Sequence, residues 1–262
     1  MPSRSQTKAV VMKQGSLQAF LMGLIAKATD AIYMEFREVA GAASADLSGF
    51  AHNGTIVGGV TLGQADNRGA ANDAFLWDGD DSPAGGTGLI TIPAAQTHQS
   101  AAKRSKLYLL RPDNIGEGSN GHLERDGNNV NSFVAITTVI GRIWVRIAAA
   151  TTNGEVQANF ANASAGEWSL FMVTYDDAGD RKPTVKRWEN GAMAAASSFT
   201  TGPTAAVGTL STITATARII GNSLAADRTY GGAMAMYLDL SGYIVTDAEA
   251  AQLGNLLGLS GS

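Results

Sequence analysis

The sequence of 262 residues contains no cysteine, and this absence removes several kinds of chemistry at once. Without cysteine the chain has no disulfide bond, no cysteine-ligated zinc site and no thiol nucleophile. Charged residues are also scarce, at 16% of the chain, whereas ordinary soluble domains carry about 25%. The hydrophobic share of 45% is ordinary, so the composition is that of a folded chain and excludes intrinsic disorder.

Basic residues are too few and too dispersed to neutralise a nucleic-acid backbone. The 19 lysines and arginines are outnumbered by 23 aspartates and glutamates, which gives a net charge of −4. The densest basic run is the four-residue segment Lys103–Lys106, which is typical of a solvated strand end. A nucleic-acid-binding protein needs clustered lysine and arginine to contact phosphates. We therefore expect no nucleic-acid partner.

Long hydrophobic runs are absent as well. The apolar run Leu17–Ile25 is shorter than the roughly 20 residues that cross a membrane, so we expect no membrane insertion. Gln18 interrupts the run, and we expect no cleaved signal peptide. The helical spacing of its apolar residues predicts an amphipathic helix within residues 16–28. Its polar face is thin, so the helix packs either on its own domain or on another subunit. The candidate docking residues are Leu17, Phe20, Leu21, Leu24 and Ile25.

Glycine is abundant, and the rest of the chain is patterned for short strands. The 31 glycines show no three-residue period, which excludes a collagen helix. Residues 142–147 alternate cleanly, with three arginine or tryptophan residues on one face and three aliphatic residues on the other. Asn190-Gly191 predicts a tight hairpin, because both residues tolerate positive φ. Thr246 and Glu249 form a capping box, which predicts a helix to about Leu257.

Together these signals predict an all-β fold, an antiparallel β-sandwich with a short helix at each end. No alternation of strands with helices is present, so a doubly wound parallel sheet is excluded. The one boundary that the sequence suggests lies near residue 30. We expect an N-terminal arm at residues 1–30 and a sandwich at residues 31–262.

Two segments resemble the laminin G-like family, whose members share the concanavalin A-like jelly-roll sandwich. The segment Ala45–Val60 reads ADLSGFAHNGTIVGGV and is similar to a family opening of the form DxSGNGxxGTxxGGV. The segment Gly166–Asp176 reads GEWSLFMVTYD and is similar to the pattern GxWxHVAVTYD. Leu170 stands where the family often carries histidine. The resemblance covers roughly residues 31–257 and implies the concanavalin A-like fold.

The resemblance also frames two hypotheses about function. The first is a non-enzymatic structural or adhesion protein of a bacteriophage virion, either a capsid decoration or a tail-fibre component, that binds surface glycans. It is made in the host cytoplasm, forms an oligomer or part of a larger assembly, and contacts other virion proteins through the N-terminal arm. The alternative is a free-standing carbohydrate-binding module of a cell. A glycoside hydrolase is a distant third.

Candidate binding residues lie in two polar, glycine-containing segments. The lectin-like resemblance implies a glycan site in the loop at residues 114–130, where His122, Glu124 and Asp126 are available. Three acidic residues, Asp78, Asp80 and Asp81, lie in a glycine-rich turn of the kind that holds calcium through oxygen ligands. A solvated turn is the competing interpretation, and we expect no other cofactor.

Catalytic motifs are missing from the sequence. A glycosidase of this sandwich carries its carboxylates along a strand as a Glu-x-Asp-x-Glu triplet, and no such triplet occurs. The nucleophile elbow and the phosphate-binding loop are absent too. We therefore expect that the protein is not an enzyme.

Overall fold

Two antiparallel β-sheets and two helices make up the part of the chain that the computed structural model describes. Those residues are 4–65, 74–78, 88–93, 102–113, 121–126, 133–136, 140–210, 217–222 and 228–259. The helices are α1 (Arg4–Ile25) and α2 (Asp247–Leu257). The strands are β1 (Asp30–Met34), β2 (Ala43–Ser44), β3 (Gly54–Val57), β4 (Thr61–Gln64), β5 (Ala74–Asp78), β6 (Leu89–Ile92), β7 (Lys103–Pro112), β8 (Gly121–Asp126), β9 (Phe133–Ile136), β10 (Arg142–Ile147), β11 (Gly154–Asn159), β12 (Ser169–Asp176), β13 (Thr184–Glu189), β14 (Ala192–Ala195), β15 (Ser198–Thr204), β16 (Arg218–Ile220) and β17 (Gly231–Ser241).

The strands form two sheets, and in each sheet several neighbouring strands come from distant parts of the chain. In the first sheet the order is β14-β13-β12-β7-β17-β5-β4, and β1 pairs with β17 beside β5. In the second sheet the order is β15-β11-β10-β9-β8-β16-β6-β3-β2. The paired strands run antiparallel, as in β10 with β11 and β7 with β17. The predicted all-β, concanavalin A-like sandwich with a helix near each end is confirmed.

An inter-sheet core fills the space between the two sheets. In β10 the alternation places Ile143, Val145 and Ile147 on the inner side, where all three are buried. From the first sheet, Tyr108 and Phe171 reach the same core. Because the outward residues of β10 are only half-buried, the second sheet has one covered face and one face toward solvent.

The first sheet is covered on both faces. A second cluster, the helix-side core, lies on the face turned away from the second sheet and is built by residues of α1, α2 and the sheet. Leu107 and Leu109 alternate with Tyr108 and contribute to this cluster. Strands β7 and β17 are therefore buried almost from end to end. Such strands lack the half-polar alternation of β10.

Helix α1 corrects one expectation from the sequence. It begins at Arg4, well before the predicted start near Ser16, and its apolar stripe packs into the helix-side core of its own chain. Leu17, Leu21, Leu24 and Ile25 are buried there, and Phe20 is partly buried against the same core. The expectation that this stripe docks on a neighbouring subunit is wrong, because the chain's own first sheet already covers it.

Helix α2 follows the predicted signals. Thr246 is the N-cap, and its hydroxyl accepts a hydrogen bond from the backbone N–H of Glu249, whose side chain completes the capping box. Gly258 ends the helix in the left-handed conformation, with a φ of 72°. Among the described residues neither helix is both long and apolar enough to span a membrane.

Candidate functional site

The structure places the predicted glycan-binding residues in a strand, which differs from the expected loop. His122, Glu124 and Asp126 lie on β8, and a register shift against β9 falls between His122 and Glu124. Glu124 is fully buried, and its carboxylate accepts hydrogen bonds from the Lys106 ammonium and, at 2.7 Å, from the Tyr108 hydroxyl. His122 is buried too, and the side chain of Asp126 lies outside the described part of the chain.

Glu124 belongs to a cluster of buried charges that bridges the two sheets. We call Lys106, Glu124, Arg218 and Asp239 the inter-sheet charge cluster. Lys106 and Asp239 come from the first sheet, with Nζ and Oδ2 3.4 Å apart, and Glu124 and Arg218 come from the second. Arg218 pairs with Asp239 and donates a hydrogen bond to the Tyr237 hydroxyl at 3.1 Å.

This cluster explains why Glu124 is not a glycan ligand. Its two cations and two anions balance, and their side chains are at most 6% exposed. Burial without pairing would cost several kcal/mol for each ion, and the ion pairs within the cluster offset this cost. The assignment of Glu124 to a glycan site is therefore wrong, because a sugar in solvent cannot reach the carboxylate.

Only one of the three predicted calcium ligands lies among the residues that the structure describes. Asp78 is the last residue of β5, and Asp80 and Asp81 lie outside the described residues. Among the residues that are described, no group of three or more acidic or histidine side chains has a metal-binding arrangement. Calcium at this turn stays a prediction.

The outward face of the second sheet carries a different arrangement of polar side chains. Strands β10, β11 and β15 lie side by side, and residues that pair across them form three rows. We call this surface the tryptophan face, because one aromatic residue lies in its middle row. The rows are Arg142, Asn159 and Ser198; Trp144, Gln157 and Thr201; and Arg146, Glu155 and Thr204.

Hydrogen bonds hold the side chains of the tryptophan face in place. The Trp144 indole N–H donates to Glu155 Oε1 at 2.7 Å. Arg142 Nε donates to Asn159 Oδ1 at 2.6 Å, and the Asn159 amide donates to the Ser198 hydroxyl at 3.2 Å. Because these side chains are already ordered, a ligand would lose little of its binding free energy to fixing them.

The composition of this face matches what a sugar ring needs from a protein. Trp144 is half-buried, and its indole N–H is bonded to Glu155. An indole ring is a surface that the C–H groups of a sugar can contact. Amide, hydroxyl, carboxylate and guanidinium groups surround Trp144 and can bond to sugar hydroxyls. The strands space these groups at about 3.3 Å per residue along the chain and about 4.8 Å between chains.

The sequence pattern indicates one strand of this face and misses the other two. The alternation of residues 142–147 places Arg142, Trp144 and Arg146 together. It contains no information about which strands pair with β10. The contributions of Glu155, Gln157 and β15 depend on a register that includes two shifts between β11 and β15.

Two other aromatic side chains near the surface are less suited to a sugar. The guanidinium of Arg111 lies 5.6 Å from the centre of the Trp168 ring and is paired with Asp113, so it occupies one face of that ring. Phe50 is 41% exposed, but its ring stacks on the ring of His52.

Comparisons with known proteins establish the fold. No family model matches the sequence, and no curated protein matches it. The binding domain of botulinum neurotoxin DC in complex with rat synaptotagmin II is similar in structure, with a TM-score of 0.62 and 9% identity over 89% of this chain. The binding domain of Paraclostridial Mosquitocidal Protein 1 has a TM-score of 0.57 and 14% identity over 88% of this chain.

A third solved structure is the binding domain of botulinum neurotoxin DC in complex with SialylT, with a TM-score of 0.57 and 11% identity over 86% of this chain. This chain spans about half the length of each of the three, between 51% and 52%. At such low identity the similarity shows a shared lectin-like β-sandwich and no more.

Proposed function

We propose that the protein is a non-enzymatic adhesion protein of a bacteriophage virion that binds surface glycans through the tryptophan face. The observation that carries the proposal is Trp144, an aromatic residue among the polar side chains of the tryptophan face. Aromatic rings that contact sugar C–H groups need polar neighbours for the hydroxyls, and this face supplies both.

The structural neighbours support a role in binding. They are binding domains, one in complex with rat synaptotagmin II and one in complex with SialylT. Those ligands belong to the neighbouring proteins. For this chain they support the use of a lectin-like sandwich as a recognition surface, and the laminin G-like resemblance of the sequence supports the same use on a virion.

The positions of the carboxylates support the non-enzymatic part of the proposal. Hydrolysis of a glycoside uses two carboxylates about 5–10 Å apart across the bond that breaks. The tryptophan face contributes one carboxylate, Glu155, which accepts a hydrogen bond from Trp144. Glu124 and Asp239 are near each other but fully buried between the sheets.

A virion location requires contacts with other chains, and these belong on a surface other than the α1 stripe. Leu21 and Leu24 are already buried in the helix-side core. We therefore place contacts with other virion proteins, and any homo-oligomer interface, outside this stripe. The cellular carbohydrate-binding module is the alternative, and mass spectrometry of purified phage particles separates the two by detecting or failing to detect the chain.

The binding proposal is tested with a glycan array and the variant Trp144→Ala. We expect the unmodified protein to bind at least one glycan and the variant to lose at least ten-fold in affinity. Phe50→Ala is the matched control, because Phe50 is an exposed aromatic residue on a different part of the chain. Absence of binding to every glycan, or equal loss in both variants, would overturn the proposal.

A further inference from the structure

The tryptophan face carries an excess of positive charge on a molecule that is negative overall. Arg142 and Arg146 flank Trp144 on the same strand, and Glu155 is the one acidic residue among the nine residues of the face. The face therefore has a formal charge of +1, whereas the whole chain has −4. The local positive charge attracts a negatively charged ligand to this face, although the net charge of the molecule is negative.

Neither arginine on this face is neutralised within the described part of the chain. Glu155 lies opposite Arg146 in the register, but its Oε1 accepts from the Trp144 indole, and no ion pair joins it to Arg146 among the described residues. Arg142 is held by Asn159, whose amide oxygen carries no charge. The hydrogen bond thus orients the guanidinium of Arg142 and leaves its charge uncompensated.

Arginine at these positions favours an acidic group that offers two oxygens to one guanidinium. A guanidinium presents a fork of N–H donors that binds the oxygens of a carboxylate or a sulfate in pairs, and such bonds are stronger than neutral ones. Residues two positions apart on a strand are separated by about 6.6 Å. A sugar ring lying on Trp144 would therefore place an acidic substituent on either side within reach of Arg142 or Arg146.

We infer that the tryptophan face selects acidic glycans, that is, sugars bearing carboxylate or sulfate groups, with the ring on Trp144 and the acidic group on Arg142 or Arg146. This inference rests on the proposed glycan-binding function and adds the class of ligand. Arg142 and Arg146 are the residues that determine the preference.

The test uses pairs of sugars that differ only in charge. Isothermal titration calorimetry compares a galacturonic acid trisaccharide with its methyl ester, and a sulfated galactan oligosaccharide with its unsulfated form. We expect the acidic member of at least one pair to bind ten-fold more tightly, and its affinity to fall as the salt concentration rises. The first pair reports on carboxylates and the second on sulfates.

Variants assign the preference to the two arginines. The double variant Arg142→Gln/Arg146→Gln removes the preference and keeps the weaker binding of the neutral sugar. Arg37→Gln, which changes an exposed arginine outside this face, leaves the preference unchanged, and the melting temperature of each variant reports its folding. Equal binding of both members of every pair, with loss in Trp144→Ala, overturns the inference alone. Binding of no sugar overturns the proposed function and the inference with it.

Discussion

Glu249 joins helix α2 to the segment that follows α1 through one carboxylate. Its oxygens accept hydrogen bonds from Lys27 Nζ at 2.5 Å, from the Tyr243 hydroxyl at 2.8 Å and from the Thr246 backbone N–H at 2.8 Å. Burial raises the pKa of Glu249, but the hydrogen bonds from Lys27, Thr246 and Tyr243 together outweigh it and hold the pKa at about 2. The same group therefore caps α2 and fixes the segment that follows α1.

This lowered pKa predicts how stability depends on pH. The unfolded pKa of glutamate is about 4.3, so Glu249 stabilises the fold at pH values above this and loses its contribution as the pH falls toward 2. We expect urea unfolding to show that Glu249→Gln is less stable than the unmodified chain at pH 7, with the difference shrinking below pH 4. Glu167→Gln, at an exposed position, is the control. A difference that stays constant from pH 7 to pH 2 would contradict the prediction.

Helix α2 packs on the first sheet through a contact that admits no side chain at Gly254. A Cβ atom at this position would lie 2.2 Å from Cδ1 of Trp188, which belongs to the helix-side core. Glycine lowers the stability of a helix by about 1 kcal/mol relative to alanine. Glycine is needed at this position despite its lower helix propensity, because the backbone of α2 lies directly against the Trp188 ring.

Alanine at two helical glycines separates these effects. Gly254→Ala is expected to destabilise the protein by about 1–3 kcal/mol, because the methyl group overlaps Trp188. Gly23→Ala is the matched control in α1, where nothing lies within 4 Å of the added Cβ. We expect this variant to gain up to about 1 kcal/mol. Equal effects of the two substitutions in chemical denaturation would refute the contact with Trp188.

Because the apolar stripe of α1 is buried within its own chain, substitutions in it are expected to lower the stability of the fold and to leave any association between chains unchanged. Leu21 is 0% exposed in the helix-side core, and Leu21→Ala is expected to cost about 2–5 kcal/mol in the free energy of unfolding. Gln18→Ala, on the exposed side of the helix, should change it by less than about 0.5 kcal/mol. If light scattering showed that Leu21→Ala dissociates an oligomer while its stability is unchanged, the stripe would be an interface after all.

The molecule as a whole is a stack of three layers: helices, first sheet and second sheet. The inter-sheet charge cluster is a polar link between the two sheets beside the apolar inter-sheet core. Removing one partner of a buried ion pair leaves an uncompensated charge, which costs about 3–5 kcal/mol. The two sheets are therefore energetically coupled through Glu124 and its partners.

The variant Glu124→Gln tests this coupling. We expect thermal and urea unfolding to show a loss of about 3–5 kcal/mol, because Lys106 and Arg218 are then balanced by Asp239 alone. Lys103→Met is the control, since Lys103 lies on the same strand as Lys106, is 48% exposed and makes only a surface pair with Asp176. A Glu124→Gln protein as stable as the Lys103→Met protein would show that the cluster contributes nothing to stability.

Individual elements differ in how well the sequence predicts them. The start of α2 at Thr246 and the turn at Asn190-Gly191 are predictable, because each depends on a few neighbouring residues. The glycine and polar residues of segment 121–126 predict a loop and obscure strand β8. Glu124 turns inward beside a register shift, and a bulge of that kind leaves no signal in the sequence.

Short-range sequence patterns thus determined the fold class, most of the helical and β segments and one face of β10, because hydrophobic periodicity and helix caps depend on residues close together in the chain. The absence of cysteine, which is a property of the sequence alone, also excluded disulfide bonds and thiol chemistry. Only the tertiary structure decided that the first sheet covers α1, that Glu124 is buried with Lys106, and that Glu155 and Gln157 join Trp144 on one face. These outcomes depend on strand order and register between segments far apart in the chain, since each strand can bury its apolar face against several alternative partners.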